Sequence, residues 1–180
     1  MVLADIPEPV EQSERLRAML ICFEHGLDFI PLPPVAQLGR SEAAQLIHDR
    51  GAEIAHIWKA IAGHGQMTLL LSAARPSPAT PTGTGRAWLQ ARRQHHEDKN
   101  GAFKIMEMVV SPFPYRRQIS TGPAGIRCDL LVPRVAVRQL KDRLAALSDC
   151  PALRDQNLSL TICGPWPAFH FTALPELAYV

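Results

Sequence analysis

The chain has 180 residues, 47% hydrophobic and 20% charged, a composition that excludes wholesale disorder and allows one large domain or two small ones. Nineteen basic residues stand against 17 acidic ones, and aromatics make up 6%. This near-balance and the scarcity of rings argue against a dedicated nucleic-acid binder.

The N-terminal run Met1-Val2-Leu3-Ala4-Asp5-Ile6-Pro7-Glu8 has neither the cationic nor the apolar region of a signal peptide. No stretch reaches the roughly 18 apolar residues of a membrane span, so no membrane insertion is expected. Cys22, Cys128, Cys150 and Cys163 are far apart and form no C-x-x-C pair, so neither a disulfide framework nor a zinc site is expected. A cytoplasmic protein with reduced thiols is the expectation.

Leu16, Met19, Leu20 and Phe23 recur at three- and four-residue steps and predict a first helix, stopped at His25-Gly26. Phe29-Ile30-Pro31-Leu32 reads as a short extended run held open by Pro33-Pro34. Ser41 is the expected N-cap of a second helix, with Glu42 in its first turn. Ile47, Ile54, Trp58 and Ile61 mark the apolar stripe of that helix; Gly51 weakens it and Gly63 ends it. Met67 to Leu71 reads as a buried strand. The Pro-, Thr- and Gly-rich segment 74–85 is a loop or linker. A long helix is expected from about Arg86 to Val109, and Ser111-Pro112-Phe113-Pro114 breaks it. Tyr115 to Ser120 reads as an edge strand open to backbone pairing, Thr121 to Gly125 as a turn, and Ile126 to Val132 as a strand. Val137, Leu140, Leu144 and Leu147 define an amphipathic helix after Pro133, and Leu158 to Ile162 alternates as a last strand. The order strand, helix, strand, strand, helix, strand is that of a ferredoxin-like unit. The expected class is therefore α+β, with a helical N-terminal portion packed beside a ferredoxin-like (βαββαβ) C-terminal domain.

The segments that can carry chemistry are few. His95 and Asp98, at i and i+3 in the run Arg92 to Lys99, can face a metal from one side of a helix, but no third ligand is marked and a solvated helix face explains them. Gly83-Thr84-Gly85 precedes a helix, yet no phosphate-binding glycine motif is present. Cys22 lies near Glu24 and His25 without forming a recognisable nucleophile pair. His48, His56 and His64 recur every eight residues, which advances about 80° past two helical turns and does not stack them on one face. The strands lack the aromatic residues of an RNA-recognition sheet. No catalytic, cofactor or metal site is assigned.

The distinctive segment is Gly164-Pro165-Trp166-Pro167-Ala168-Phe169-His170-Phe171. Pro165 and Pro167 stiffen the backbone around Trp166, and alternation of Phe169 and Phe171 in an extended chain turns both rings to one side. A rigid aromatic run loses little entropy on docking, so these five residues are the expected partner-binding surface, alongside the simpler alternative that the rings fill a core.

Leu160 to Phe171 resembles the "TGPWPPYSF" signature that closes members of the gas vesicle protein F and L family. Phe29-Ile30-Pro31-Leu32 is similar to that family's "VLPLRFG" strand. Gly85 to Arg93 is similar to its "G-x-x-Y-L-x-x-R" helix start, and Asp129-Leu130-Leu131-Val132-Pro133-Arg134 to its "AYLVPR" junction. The resemblance spans roughly residues 16–172 and implies structural roles for Gly164, Pro31, Pro133 and Arg134. It further implies a non-enzymatic accessory or minor structural protein, vesicle-associated, that binds the gas vesicle shell protein and other accessory proteins. This chain begins beyond the family's usual "Y-x-Y-G" segment, Pro33-Pro34-Val35 replaces "RFG", and Ala168, Phe169 and His170 replace proline, tyrosine and serine. The implied organisation is a reduced α+β N-terminal domain over 1–65 and a ferredoxin-like C-terminal domain over 66–180. A small metal-dependent enzyme using His95 and Asp98, or a ligand-binding regulatory module, is the alternative.

Overall fold

The computed structural model describes residues 12–31, 39–73, 85–148 and 150–172. The 74–84 part of the loop and Pro33-Pro34-Val35 lie outside the described residues, and within the long helix the side chains of 85, 87, 88 and 90–99 do too. The elements are α1 (Gln12–Glu24), α2 (Arg40–Ile61), β1 (His64–Ala73), α3 (Gly85–Val110), β2 (Arg116–Gly122), β3 (Gly125–Pro133), α4 (Val137–Leu147), α5 (Pro151–Asp155) and β4 (Leu158–Trp166). Among the described residues two single 3-10 turns, Arg134–Ala136 and Phe169–Phe171, complete them. The class is α+β, and the four strands form one antiparallel sheet in the order β2-β3-β1-β4. Contacts group the chain into two compact units, one of residues 1–66, 131–134 and 164–180, the other of 67–130 and 135–163.

In the second unit the apolar periodicities do what they predict. Met67, Leu69 and Leu71 of β1 and Ile126, Cys128 and Leu130 of β3 alternate into a core. Ala102, Ile105, Met106 and Val109 of α3 step by three and four, as do Val137, Leu140 and Leu144 of α4, and all are buried. On the other face of the strands, Asp129 is buried yet paired: Arg127 grips it through two hydrogen bonds of 2.8 and 3.0 Å, and the Thr68 hydroxyl donates a third at 2.6 Å. Gly125, with φ +129, permits the tight return from β2 to β3 and sits close against the Leu71 carbonyl, where a side chain does not fit.

In the first unit the differences from expectation are local. The N-terminus of α2 begins two residues earlier than Ser41 suggests: Gly39 is the cap residue, and Glu42, three places on, accepts its N–H at 2.8 Å. The helix kinks at Arg50, where φ −121 and ψ 22 leave helical space just before Gly51. The inward stripe of α2 runs through Ile57 to Ile61, not through Trp58, which is 40% exposed. Gly26 and Gly63 carry positive φ at the ends of α1 and α2, as the stops require. The last strand extends to Trp166 rather than Ile162, and α5, a one-turn helix opened by Pro151, was not anticipated.

Burial, reinforced by the neighbouring Asp129 carboxylate and opposed by Arg117, pushes the Cys128 thiol from 9.0 up to about 12. The folded state thus holds a proton that the unfolded chain releases near pH 9. The stability this contributes is complete below pH 9 and falls between pH 9 and 12, by about 1.4 kcal/mol per pH unit. Urea unfolding of the wild type and Cys128→Ala across pH 8 to 10.5 should show a steeper alkaline loss in the wild type; parallel curves refute the assignment.

Candidate aromatic docking segment

The distinctive segment closes β4, and its shape is set by elements of the first unit. Gly164 has φ +108, a conformation that side chains rarely adopt, and the Gly164–Pro165 peptide is cis. Pro165 lies beside Gly65 at the start of β1. A Cβ on Gly65 comes within 2.9 Å of Phe23 Cζ and 3.2 Å of Pro165 Cβ, so the Phe23 ring fills the room a side chain would take.

The face of that ring is covered by Arg134, whose guanidinium carbon stands 4.2 Å from the ring centroid. The same guanidinium donates to the carbonyls of Phe23 (3.4 Å) and Leu27 (3.0 Å), at and just past the C-terminus of α1. It also pairs with Asp28 Oδ1 at 3.1 Å. Asp28 Oδ2 accepts the Gly63 N–H at 3.0 Å, and the Gly63 carbonyl accepts the Arg134 N–H at 2.9 Å. Asp28, Gly63 and Arg134 therefore close a ring of two hydrogen bonds and one ion pair.

Beyond Trp166 the chain turns inward. Pro167 and Ala168 are buried, and the Phe169 and Phe171 N–H groups donate to the Pro167 and Ala168 carbonyls at 2.7 and 3.0 Å. Gln66, 1% exposed, fixes this turn from β1: its Oε1 accepts the His170 N–H at 3.0 Å and its Nε2 lies 2.8 Å from His170 Nδ1. The Thr172 hydroxyl donates to the Pro31 carbonyl at 3.1 Å.

The 3-10 turn corrects the expected extended alternation of Phe169 and Phe171. Phe171 is 4% exposed and packs with Ile61, Leu131 and Ala168, flanked by Ile30, Ile57 and Ala60. Phe169 is half-buried, whereas Trp166 is 39% exposed. The segment thus uses its polar side chains, His170 and Thr172, to fix the turn, and presents an indole outward on a braced backbone. The four residues given structural roles by resemblance occupy defined places: Gly164 at the positive φ, Pro31 as the Thr172 acceptor, Pro133 at the end of β3, and Arg134 in the hydrogen-bonded ring. Sequence reading missed Asp28, Gly65, Gln66 and Thr172. The Gly63-His64-Gly65 spacing was a signal for the close approach; Asp28 and Gln66 carry none, because their partners are distant in sequence.

The other candidates do not assemble. The side chains of His95 and Asp98 lie outside the described residues. Cys22 is half-buried on α1, and among the described residues no three His, Cys, Asp or Glu side chains are placed to hold a metal. No described helix is long and apolar enough to cross a membrane.

No protein-family model matches the chain, and no curated protein matches it. Among solved structures, the chain is similar to the crystal structure of the gas vesicle protein GvpF from Anabaena sp. PCC7120, with a TM-score of 0.61 at 10% sequence identity. The match covers 81% of this chain and 66% of that one, so the chain spans just under two thirds of the length of the protein it resembles. What the two share at this identity is the fold.

The close approach at Gly65 is directly testable. Gly65→Ala should cost about 1–3 kcal/mol in urea unfolding, because the added methyl meets a packed ring. In Phe23→Leu, which retracts the ring edge, the same substitution should cost measurably less; additive effects of the two changes rule out the contact.

Proposed function

We propose that this chain is a non-enzymatic accessory or minor structural protein of gas vesicle formation. It works by protein–protein binding to the vesicle shell protein and to other accessory proteins, in the cytoplasm and in association with vesicles. The observation that carries the reading is the fold similarity to a gas vesicle protein over 81% of the chain. The ordered motifs ending in Gly164-Pro165-Trp166-Pro167 supply independent support. The element order β1-α3-β2-β3-α4-β4 and the strand order β2-β3-β1-β4 support the finer reading of the sheet as ferredoxin-like.

Trp166 is the docking anchor in this proposal, flanked by Pro165 and half-buried Phe169, while Pro167 and Phe171 support it from the core. A half-exposed indole on a backbone already fixed by Gln66 and the prolines is an economical anchor: it gives up little freedom when a partner covers it.

The test is capture of the full chain by purified shell protein, with Trp166→Ala alongside and circular dichroism as the folding control. The expected result is specific capture that falls at least tenfold in a folded Trp166→Ala variant. Equal capture removes Trp166 from the surface, and no capture by folded wild type removes the shell protein as partner.

A further inference from the structure

α1 is fastened at one end. Of its large apolar residues, Phe23 is buried, Met19 and Leu20 are half-buried, and Leu16 and Ile21 are exposed. The shorter α4, by contrast, buries Val137, Leu140 and Leu144. Thirteen residues lie at the length where an isolated helix is marginal in water, so α1 depends on what its last turn touches. That turn holds no basic side chain of its own, and the cation that complements its carbonyls, Arg134, comes from just past β3. An element held in this way opens locally at a lower free energy than β1 and β3, whose central residues are buried.

What that opening uncovers is specific, and it lies wholly within the first unit. The Phe23 ring stands at Gly65, where a Cβ meets Phe23 Cζ at 2.9 Å, Pro165 Cβ at 3.2 Å and the Trp166 carbonyl oxygen at 3.6 Å. The Arg134 guanidinium lies over the ring face. Withdrawal of the ring therefore leaves a slot made of the bare Gly65 backbone, a proline wall and a guanidinium, next to the exposed indole of Trp166.

The present occupant defines the chemistry of that slot. It accepts an aromatic ring, through close approach to glycine and through cation–π contact. It accepts that ring from a helix end, because the guanidinium over the ring also donates to the carbonyls of Phe23 and Leu27. A planar fork that serves a ring face and helix-end carbonyls together selects an aromatic residue in the last turn of a helix. We propose that this slot is a second recognition site beside Trp166, occupied in cis by Phe23. A partner helix with an aromatic residue in its last turn takes the slot when α1 swings out. The proposal rests on the reading of Gly164–Phe171 as a docking surface; α1 is then an internal competitor that keeps the neighbouring slot shut until a partner displaces it.

Two measurements test it. The first is native-state amide exchange of the wild-type chain in low urea. Amides in the last turns of α1 should exchange at least tenfold faster than those of β1 and β3, through an opening with a smaller urea dependence. Exchange of α1 together with the strands, in one global step, overturns the proposal. The second measurement uses a blocked, alanine-rich helical peptide that ends in the sequence of residues 23–28. It should bind the Phe23→Ala chain at least tenfold more tightly than the wild type, because the internal competitor is gone. Alanine in place of the peptide's phenylalanine should abolish binding. So should Gly65→Ala added to Phe23→Ala, because its methyl fills the slot. Absence of binding to the Phe23→Ala chain, or binding indifferent to either change, overturns the proposal. Phe23→Leu, which disturbs the fold less, should show a smaller gain of the same sign and serves where Phe23→Ala folds poorly. Neither readout involves the shell protein, so a failure here is distinct from a failure of the gas vesicle reading.

Discussion

The geometry of the first unit depends on one guanidinium. Arg134 donates to carbonyls at and just beyond the C-terminus of α1, where unpaired carbonyls and the negative end of the helix dipole both favour a cation. It pairs with Asp28, and its own backbone N–H ties to Gly63. Because Asp28 also accepts from Gly63, three segments remote in sequence are joined by one closed cycle of two hydrogen bonds and an ion pair. A lysine cannot reproduce this. The planar fork reaches two carbonyls and a carboxylate at once and still lies flat on the Phe23 ring. The value of the cycle is positional more than Coulombic, since Asp28 and Arg134 are each only partly shielded from water.

From that node the rest follows by contact. Arg134 lies over the face of the Phe23 ring, whose Cζ edge meets Gly65, where only a residue without Cβ tolerates the approach. Gly65 begins β1, and the next residue, Gln66, takes hold of His170 through both its backbone and its ring. The turn so fixed buries Phe171 among Ile61, Leu131 and Ala168, and leaves Trp166 half in solvent. The exposed indole is thus the outer end of a chain of contacts that begins at the α1 terminus.

Sequence periodicity reached the elements whose burial is regular. β1, β3, α3 and α4 were legible because their apolar residues alternate or step with one core, and Gly26 and Gly63 marked helix ends through a conformation that only glycine adopts cheaply. What escaped was set by partners distant along the chain. Trp58 reads as part of the α2 stripe by spacing, yet the inward face runs through Ile57 and Ile61, which pack with Phe171 and Leu131. Phe169 and Phe171 read as strand alternation, yet Gln66 captures His170 and wraps the segment into a 3-10 turn. The motif around Trp166 was legible as a unit; its division into one exposed ring, one half-buried ring and one core ring was not, because tertiary contacts decide it.

The two outer strands of the sheet are finished differently, and the difference follows from residue chemistry. β4 ends at Gly164-Pro165-Trp166-Pro167, where two residues lack an N–H and most of the strand is half-buried. Its end therefore offers a side chain, the indole, in place of a ladder of donors. β2 keeps every N–H over Arg116–Gly122 and is exposed along almost its whole length, with arginines as its only charges. Charged side chains on an edge strand are one device against indiscriminate pairing. The two edges thus differ in what they present at the surface: β4 ends on a side chain beside prolines that lack an N–H, whereas β2 keeps an exposed backbone along its length.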